Sequence, residues 1–497
     1  MTEPIVISRD ATARVLPTHA EHLIDGHWQG SSTVSQSFSP ATGEPLGTFA
    51  DGGAPEARAA IEAARRAFRA TSWSRDRQLR SRALLQMADL LERRRDQFIL
   101  GLAQENGKPL AEAGLEIDLT IPKLRYAAAL ALTDSGRTAE VAPGLYGQTL
   151  RQPAGVAGII VPWNSPVVLV VRSLAPALAA GCTSAVKMPG QTALVNGMFA
   201  QLVADTDSLP AGVVNIFTES GNEGAPRLIS SPDVDVVSYT GSTGVGRVIM
   251  REASARLKPV SLELGGKTPS IVFDDADLEA VVPTLAKSIT VFAGQFCMTG
   301  SRILAQRGIA DELRERLRQA LEAVKVGPGD DPGSDMGPMI DQANVDRVDA
   351  IVERALGYST AIVRGGRPDD PALASGAYFR PALLEVGDPN AEIVQQEVFG
   401  PVATFEVFDT EQDAISLANA TDYGLAAGIW TRDVDRPLRV GRELDVGTVW
   451  TNTWAAVVDQ FEEGGFKQSG VGRLNGLRSL EEFLEIKTLL HAAPASG

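Results

Sequence analysis

Apolar and polar positions alternate with two periods along this chain. From Pro55 to Phe68 the Ala-rich spacing is helical, and a longer amphipathic helix follows. Its apolar side is marked by Leu79, Leu84, Leu85, Ala88, Leu91 and Phe98. Gly107-Lys108-Pro109 ends that helix, and another is predicted from Leu110 to Leu132. Arg93-Arg94-Arg95 falls inside the amphipathic stretch and reads as a solvated helix face before a phosphate patch. Val141 to Pro153 alternates weakly around Pro143-Gly144 and predicts a projecting strand pair. Leu23 to Trp28 reads as a strand entering a turn, and Ser39 to Pro45 as a turn; the first twenty or so residues look loosely held.

From Gly155 onward strands and helices alternate. Strands are predicted at Val156–Val161, Thr183–Lys187, Val213–Phe217 and Asp235–Tyr239, with helices at Pro166–Ala179, Thr192–Asp205 and Val245–Ala255 between and after them. Repeated strand–helix–strand units imply a parallel, doubly wound α/β sheet, which binds ligands at the carboxyl ends of its strands. A second α/β block begins near Leu264, with strands at Ser270–Phe273, Ile303–Ala305 and Val402–Val407, and a long turn at Gly327–Gly333.

At 497 residues the chain has room for about three domains of roughly 150 residues each. A net charge of −16, from Asp+Glu 62 against Lys+Arg 46, argues against nucleic acid or an anionic membrane as partner. The most apolar region, Val167 to Val186, is broken by Arg172 and Pro176 and reads as core rather than a membrane span. Two cysteines make no disulfide framework, and no cluster has metal-ligand spacing. The first residues lack a basic head and a long apolar run, so no signal peptide is expected and the location implied is cytoplasmic. The four histidines, His19, His22, His27 and His491, all lie near the ends. A Ser-His-Asp or Cys-His hydrolase needs one at a central site, so any base for a cysteine here is a carboxylate, a lysine or water.

Candidate chemistry gathers at a few stretches. Gly294-Gln295-Phe296-Cys297-Met298-Thr299-Gly300 holds a thiol among small and apolar residues, where free backbone N–H groups can meet an oxyanion. A buried structural cysteine is the commoner fate of a free thiol, and this stretch alone does not displace that reading. No G-x-G-x-x-G fingerprint follows a strand; Gly470-Val471-Gly472 is half of one. The strand ending at Tyr239 instead runs into Thr240-Gly241-Ser242-Thr243-Gly244-Val245-Gly246, which suits a phosphate at a helix N-terminus or is an ordinary Gly-rich turn. Pro162-Trp163-Asn164 ends a buried strand, where Asn164 can donate to an oxyanion or serve as a turn residue. Lys187 ends the next strand on the same edge, and Glu263-Leu264-Gly265-Gly266-Lys267 sets a carboxylate beside flexible backbone.

Taken together, and with Gln396-Glu397-Val398-Phe399-Gly400-Pro401 and Gly465 to Arg473, these stretches resemble the NAD(P)-dependent aldehyde dehydrogenase superfamily from about Leu23 to Leu490. The resemblance implies Cys297 as nucleophile, Asn164 with the Cys297 N–H as oxyanion donors, and Glu263 as the base that activates water. It implies a cofactor site for NAD, with NADP possible, at Pro162, Trp163, Lys187, Gly190, Gly241, Ser242, Gly246, Leu264, Glu397 and Phe399. It assigns no metal, and leaves Cys182 to the core. It implies a cofactor domain over residues 1–135 and 156–262 and a catalytic domain over 263–445. A return segment follows at 446–473, and an oligomerisation extension spans 136–155 and 474–497. The partners implied are a small aldehyde and further copies of the chain, as homodimer or homotetramer.

Several positions depart from the commoner pattern of that superfamily. Gly190 stands where NAD-preferring members often carry Glu, which predicts tolerance of NADP. Ser165 replaces a frequent Phe, Gly244 a frequent Glu, and Glu462-Glu463 a frequent Pro-Phe. Phe296, Met298 and Trp454 favour a hydrophobic or aromatic aldehyde; the alternative is a semialdehyde whose carboxylate pairs with Arg172. Two further rivals are a CoA-acylating enzyme, disfavoured by Glu263, and a non-catalytic structural protein on the same fold, disfavoured by retention of Cys297, Glu263 and Asn164.

Overall fold

The computed structural model describes residues 15–493. The βαβ pattern resolves into an eight-stranded sheet in which five strands run parallel: Val260–Glu263, Val236–Thr240, Val156–Ile160, Thr183–Pro189 and Val214–Glu219, in that spatial order. The chain fills one side of Val156–Ile160 and then crosses to the other, so a crevice opens beyond the carboxyl ends beside that strand. Gly470–Val471 closes one edge antiparallel to Val260–Glu263, and His22–Ile24 with His27–Gln29 close the other. The half fingerprint at Gly470 is therefore an edge strand.

These strands are buried on both faces, which is why they read as apolar runs without alternation. The helix Pro166–Ala180 lies in the core against one face, and stops where Gly181 takes φ +101°. Its exposed first-turn N–H groups meet a buried carboxylate: Glu116 Oε1 accepts from Val167 N at 2.8 Å. Lys108 pairs with the same Glu116 and donates to Ser165 Oγ at 3.0 Å. Ser165, in place of the frequent Phe, is thus part of a buried network.

The second block forms a seven-stranded sheet ordered Thr360–Val363, Ala382–Glu385, Val402–Phe408, Arg302–Gln306, Pro269–Val272, Ala426–Trp430 and Thr448–Thr451. All neighbours are parallel except the first pair. A separate three-stranded sheet joins Thr138–Ala142, Leu145–Pro153 and Leu484–Ala492, with most of its side chains exposed or half-buried.

Two expectations change. The long helix through Phe98 is two helices, Arg77–Arg93 and Arg95–Glu105, parted at Arg94, where φ is −103° and ψ 11°. Arg94 pairs with Asp205 and Arg95 with Asp118 at 2.7 Å, so two of the three arginines are spent on neighbouring acids while Arg93 stays exposed. Residues 15–20 are held, not loose: His19–Ala20 pairs in parallel with Pro45–Asp51, and Leu16 and Ala20 are buried. The remainder of that stretch lies outside the described residues.

Candidate active site

A cavity of about 660 Å³ lies across the carboxyl ends of the eight-stranded sheet. Its walls bring together Asn164, Glu263 and Cys297, which are far apart in sequence. Pro162, Trp163, Lys187, Gly241, Ser242, Leu264, Glu397 and Phe399 line the same space. Gly190 and Gly246 stand behind the wall. A Cβ at Gly246 would come 2.6 Å from Leu264 Cδ2, so Gly246 lets the helix Thr243–Ser254 press against Leu264. Ser242 caps that helix, accepting weakly from Val245 N at 3.4 Å.

The cysteine loop is built on unusual backbone. After the helix Leu278–Thr290, Phe292 and Ala293 both have positive φ, +50° and +51°. Such conformations cost on the order of 1–3 kcal/mol each and persist where the surroundings enforce them. Glu112 Oε2 accepts from Phe292 N at 2.8 Å and fixes the turn. Gly294 follows at φ +70°, and any Cβ there would sit 2.1 Å from the Gly400 carbonyl carbon. Gln295 then tethers the loop, its Nε2 donating to Phe292 O at 3.0 Å and its Oε1 accepting from Ile340 N at 3.0 Å. Its carbonyl accepts from Asn164 Nδ2 at 2.9 Å. One amide hydrogen of Asn164 is thereby fixed by the cysteine loop, and the other is left for a ligand. The Cys297 N–H finds no internal acceptor among the described residues.

The thiol is half-buried between two environments. On one side is the cavity, and on the other an apolar cluster of Met298, Leu425, Ala426 and Trp450, with Phe296 and Trp454 packed against it. Phe292, Phe296 and Trp454 meet edge to face at 5.7 and 5.9 Å. Trp454 Nε1 donates to Met298 O at 3.0 Å, which orients the indole. Burial pushes the Cys297 thiol up to about 12, with Arg172 opposing.

Glu263 ends its strand with Oε1 buried and without a hydrogen-bond partner. Burial pushes its carboxyl up to about 8; Arg172 opposes, and Glu463 reinforces. Arg172 is itself answered. Its Nη1 donates to Glu463 Oε1 at 2.7 Å and its Nη2 to Thr240 Oγ1 at 3.0 Å, all three residues being buried. Glu463 accepts in addition from Asn475 Nδ2 at 3.0 Å. Glu463, of the Glu462-Glu463 departure, is thus a buried counter-charge to Arg172, whose Nε is buried without a hydrogen-bond partner among the described residues.

At the other wall Glu397 Oε1 accepts from Gly266 N at 3.0 Å, and burial raises its carboxyl to about 7. Phe399 has φ +53° and stacks edge-on with Trp163 at 5.6 Å. Arg347 Nη1 holds the preceding carbonyl, Val398 O, at 2.7 Å. Arg347 and Glu219 both line the cavity without having been singled out in the sequence. Glu219 ends the strand Val214–Glu219, two residues beyond the predicted end at Phe217, so the rule that parallel-strand ends bind ligands points close to it; Arg347, inside the helix Gln342–Leu356, carries no such signal. Cys182 is buried, its Sγ donating to Phe483 O at 3.3 Å, and remote from this chemistry.

The profile of the aldehyde dehydrogenase family matches residues 28–489. The betaine aldehyde dehydrogenase of Bacillus subtilis (strain 168) is 36% identical over 470 residues, covering 94% of this chain and 96% of that protein. The 2-aminomuconic semialdehyde dehydrogenase of Homo sapiens is 37% identical over 476 residues, covering 94% and 97%. A crystal structure of betaine aldehyde dehydrogenase from Staphylococcus aureus, in complex with NAD+, superposes with a TM-score of 0.94 at 34% identity, covering 98% of each chain. The chain belongs to the aldehyde dehydrogenase family.

Proposed function

We propose that this enzyme oxidises a hydrophobic or aromatic aldehyde to the carboxylate, with Cys297 as nucleophile, Asn164 and the Cys297 N–H as oxyanion donors, and Glu263 as hydrolytic base. The observation that carries the reading is the placement of Cys297. It faces the cavity that holds Glu263 and Asn164, and its other side touches an aromatic cluster.

The cavity fits a nicotinamide dinucleotide. It spans the carboxyl ends of a parallel sheet, reaches the N-terminus of the helix Thr243–Ser254, and holds a buried, unpartnered carboxylate oxygen at Glu219. Lys187 and Ser242 take the adenosine and phosphate side, and Glu397 with Phe399 the nicotinamide ribose. When bound, the dinucleotide supplies the hydride acceptor that turns a thiohemiacetal into a thioester. The chain supplies everything else. The Cys297 thiol passes its proton to solvent water and its sulfur adds as the thiolate to the aldehyde carbon, and the oxygen that becomes negative accepts from the Asn164 amide and the Cys297 N–H. Glu263 then takes a proton from water, whose oxygen adds to the thioester carbon as the Cys297 sulfur leaves.

An aromatic aldehyde suits the Phe292, Phe296 and Trp454 faces, while Glu463 already pairs with Arg172 and competes with a substrate carboxylate for it. The three-stranded sheet with the Leu484–Ala492 strand is where copies of the chain associate, as dimer or tetramer, and the acidic, disulfide-free chain works in the cytoplasm. The cofactor domain comprises residues 1–135 and 156–262, the catalytic domain 263–445. Absorbance of reduced nicotinamide, followed over aliphatic, aromatic, cationic and carboxylated aldehydes, tests the substrate class. The highest kcat/KM belongs to an aromatic or long apolar aldehyde; a preference for succinic semialdehyde overturns the assignment.

A further inference from the structure

Lys187 and Glu219 end neighbouring parallel strands on the cavity wall, with Lys187 Nζ 4.0 Å from Glu219 Oε2. That separation is too long for a hydrogen bond. Glu219 is 1% exposed, yet its two oxygens differ in use. Oε1 accepts from Glu223 N at 2.5 Å and Gly224 N at 2.7 Å, which fixes the carboxylate in place. Oε2 is buried with no hydrogen-bond partner among the described residues. A buried acceptor left unsatisfied in this way is costly unless a ligand donates to it.

Gly190 explains why the acid stands here. A Cβ at Gly190 would lie 2.7 Å from Ser220 Cβ and 2.9 Å from Ser220 Cα. Ser220 cannot easily retreat, because its N–H donates to Asp51 Oδ1 at 2.8 Å. The Lys187 strand therefore has no room for an acidic side chain at 190. The strand beside it, continuing into Ser220, carries one at 219 instead. Among the described residues lining this end of the cavity, Lys187 is the one cation, and Glu219 offsets it.

We propose that Glu219 is the residue that sets cofactor preference: its free oxygen accepts from a hydroxyl of the adenosine ribose, and its charge rejects the 2′-phosphate of NADP. The inference rests on this cavity being the dinucleotide site. A carboxylate accepts well from a vicinal diol and repels a phosphate at the same place, so one residue gives both attraction and exclusion. The absence of an acid at Gly190 then gives no tolerance of NADP.

Equilibrium binding by calorimetry, without aldehyde, tests this on the intact enzyme. Wild type binds NAD at least about thirtyfold more tightly than NADP, and 2′-deoxy-NAD about tenfold more weakly than NAD, as expected for a hydrogen bond to a charged group. Glu219→Gln keeps an oxygen for the Glu223 and Gly224 N–H groups and removes the charge. It narrows the NAD-to-NADP ratio by about tenfold or more, chiefly through tighter NADP binding. A wild-type ratio near unity overturns the proposal, as does an unchanged ratio in a folded Glu219→Gln. If that variant does not fold, the wild-type ratio and the 2′-deoxy-NAD comparison decide. Failure of wild type to bind either dinucleotide overturns the cavity assignment itself, a different result from NAD binding without discrimination.

Discussion

Arg172 and Glu463 form a buried ion pair at 2.7 Å although 291 residues separate them in sequence. Both act on Glu263, the arginine lowering its proton affinity and the glutamate raising it. In Glu463→Gln the negative charge beside Arg172 is lost, and the balance on Glu263 tips towards ionisation. As the proposed base, Glu263 acts only when ionised, so wild-type activity should rise with pH through about 8. The acid limb of the kcat profile should move to lower pH in the variant. Leaving Arg172 without its counter-charge should also cost about 3 kcal/mol of stability, read by denaturant unfolding. A limb that stays in place shows that the pair does not tune the base.

Trp454 stacks on Phe296 beside the thiol. Trp454→Ala should raise KM for an aromatic aldehyde by about tenfold through lost contact area and edge-to-face packing. A short aliphatic aldehyde should change much less. Equal losses for both place Trp454 in the scaffold, not in the substrate path.

Ile486 and Leu490 are each 66% exposed on the outer strand of the three-stranded sheet. Exposed apolar side chains on a projecting sheet mark an interface. Ile486→Glu with Leu490→Glu should lower the mass seen in analytical ultracentrifugation to that of a smaller assembly. An unchanged mass assigns association to another surface.

Much of this was legible in the sequence, because each legible feature is local. The buried strands from Val156 to Thr240 read as unbroken apolar runs, and the loops after them carry Asn164 and Ser242, while Glu263 ends the strand Val260–Glu263. The break at Arg94 was hidden because apolar spacing continues through it from Leu91 to Phe98. The role of Glu463 was hidden because nothing near it in sequence names Arg172 as its partner. Gly190 was legible as a missing acid, but the steric reason, Ser220 pressed against it, is tertiary. Glu219, which holds the next turn with one oxygen and faces the cavity with the other, looks in sequence like any acid before a helix.

Central to the account is a division of labour in which Glu263 serves hydrolysis and not attack. Rapid mixing of Glu263→Gln with NAD and a good aldehyde tests it most directly. The variant should give a burst of reduced nicotinamide near about one per active site and then stall, with the acyl group found on Cys297 by intact mass spectrometry. Loss of the burst together with turnover would show that Glu263 also activates the thiol, which burial holds near 12, and would contradict the account. So would a steady rate close to that of wild type, which requires another base.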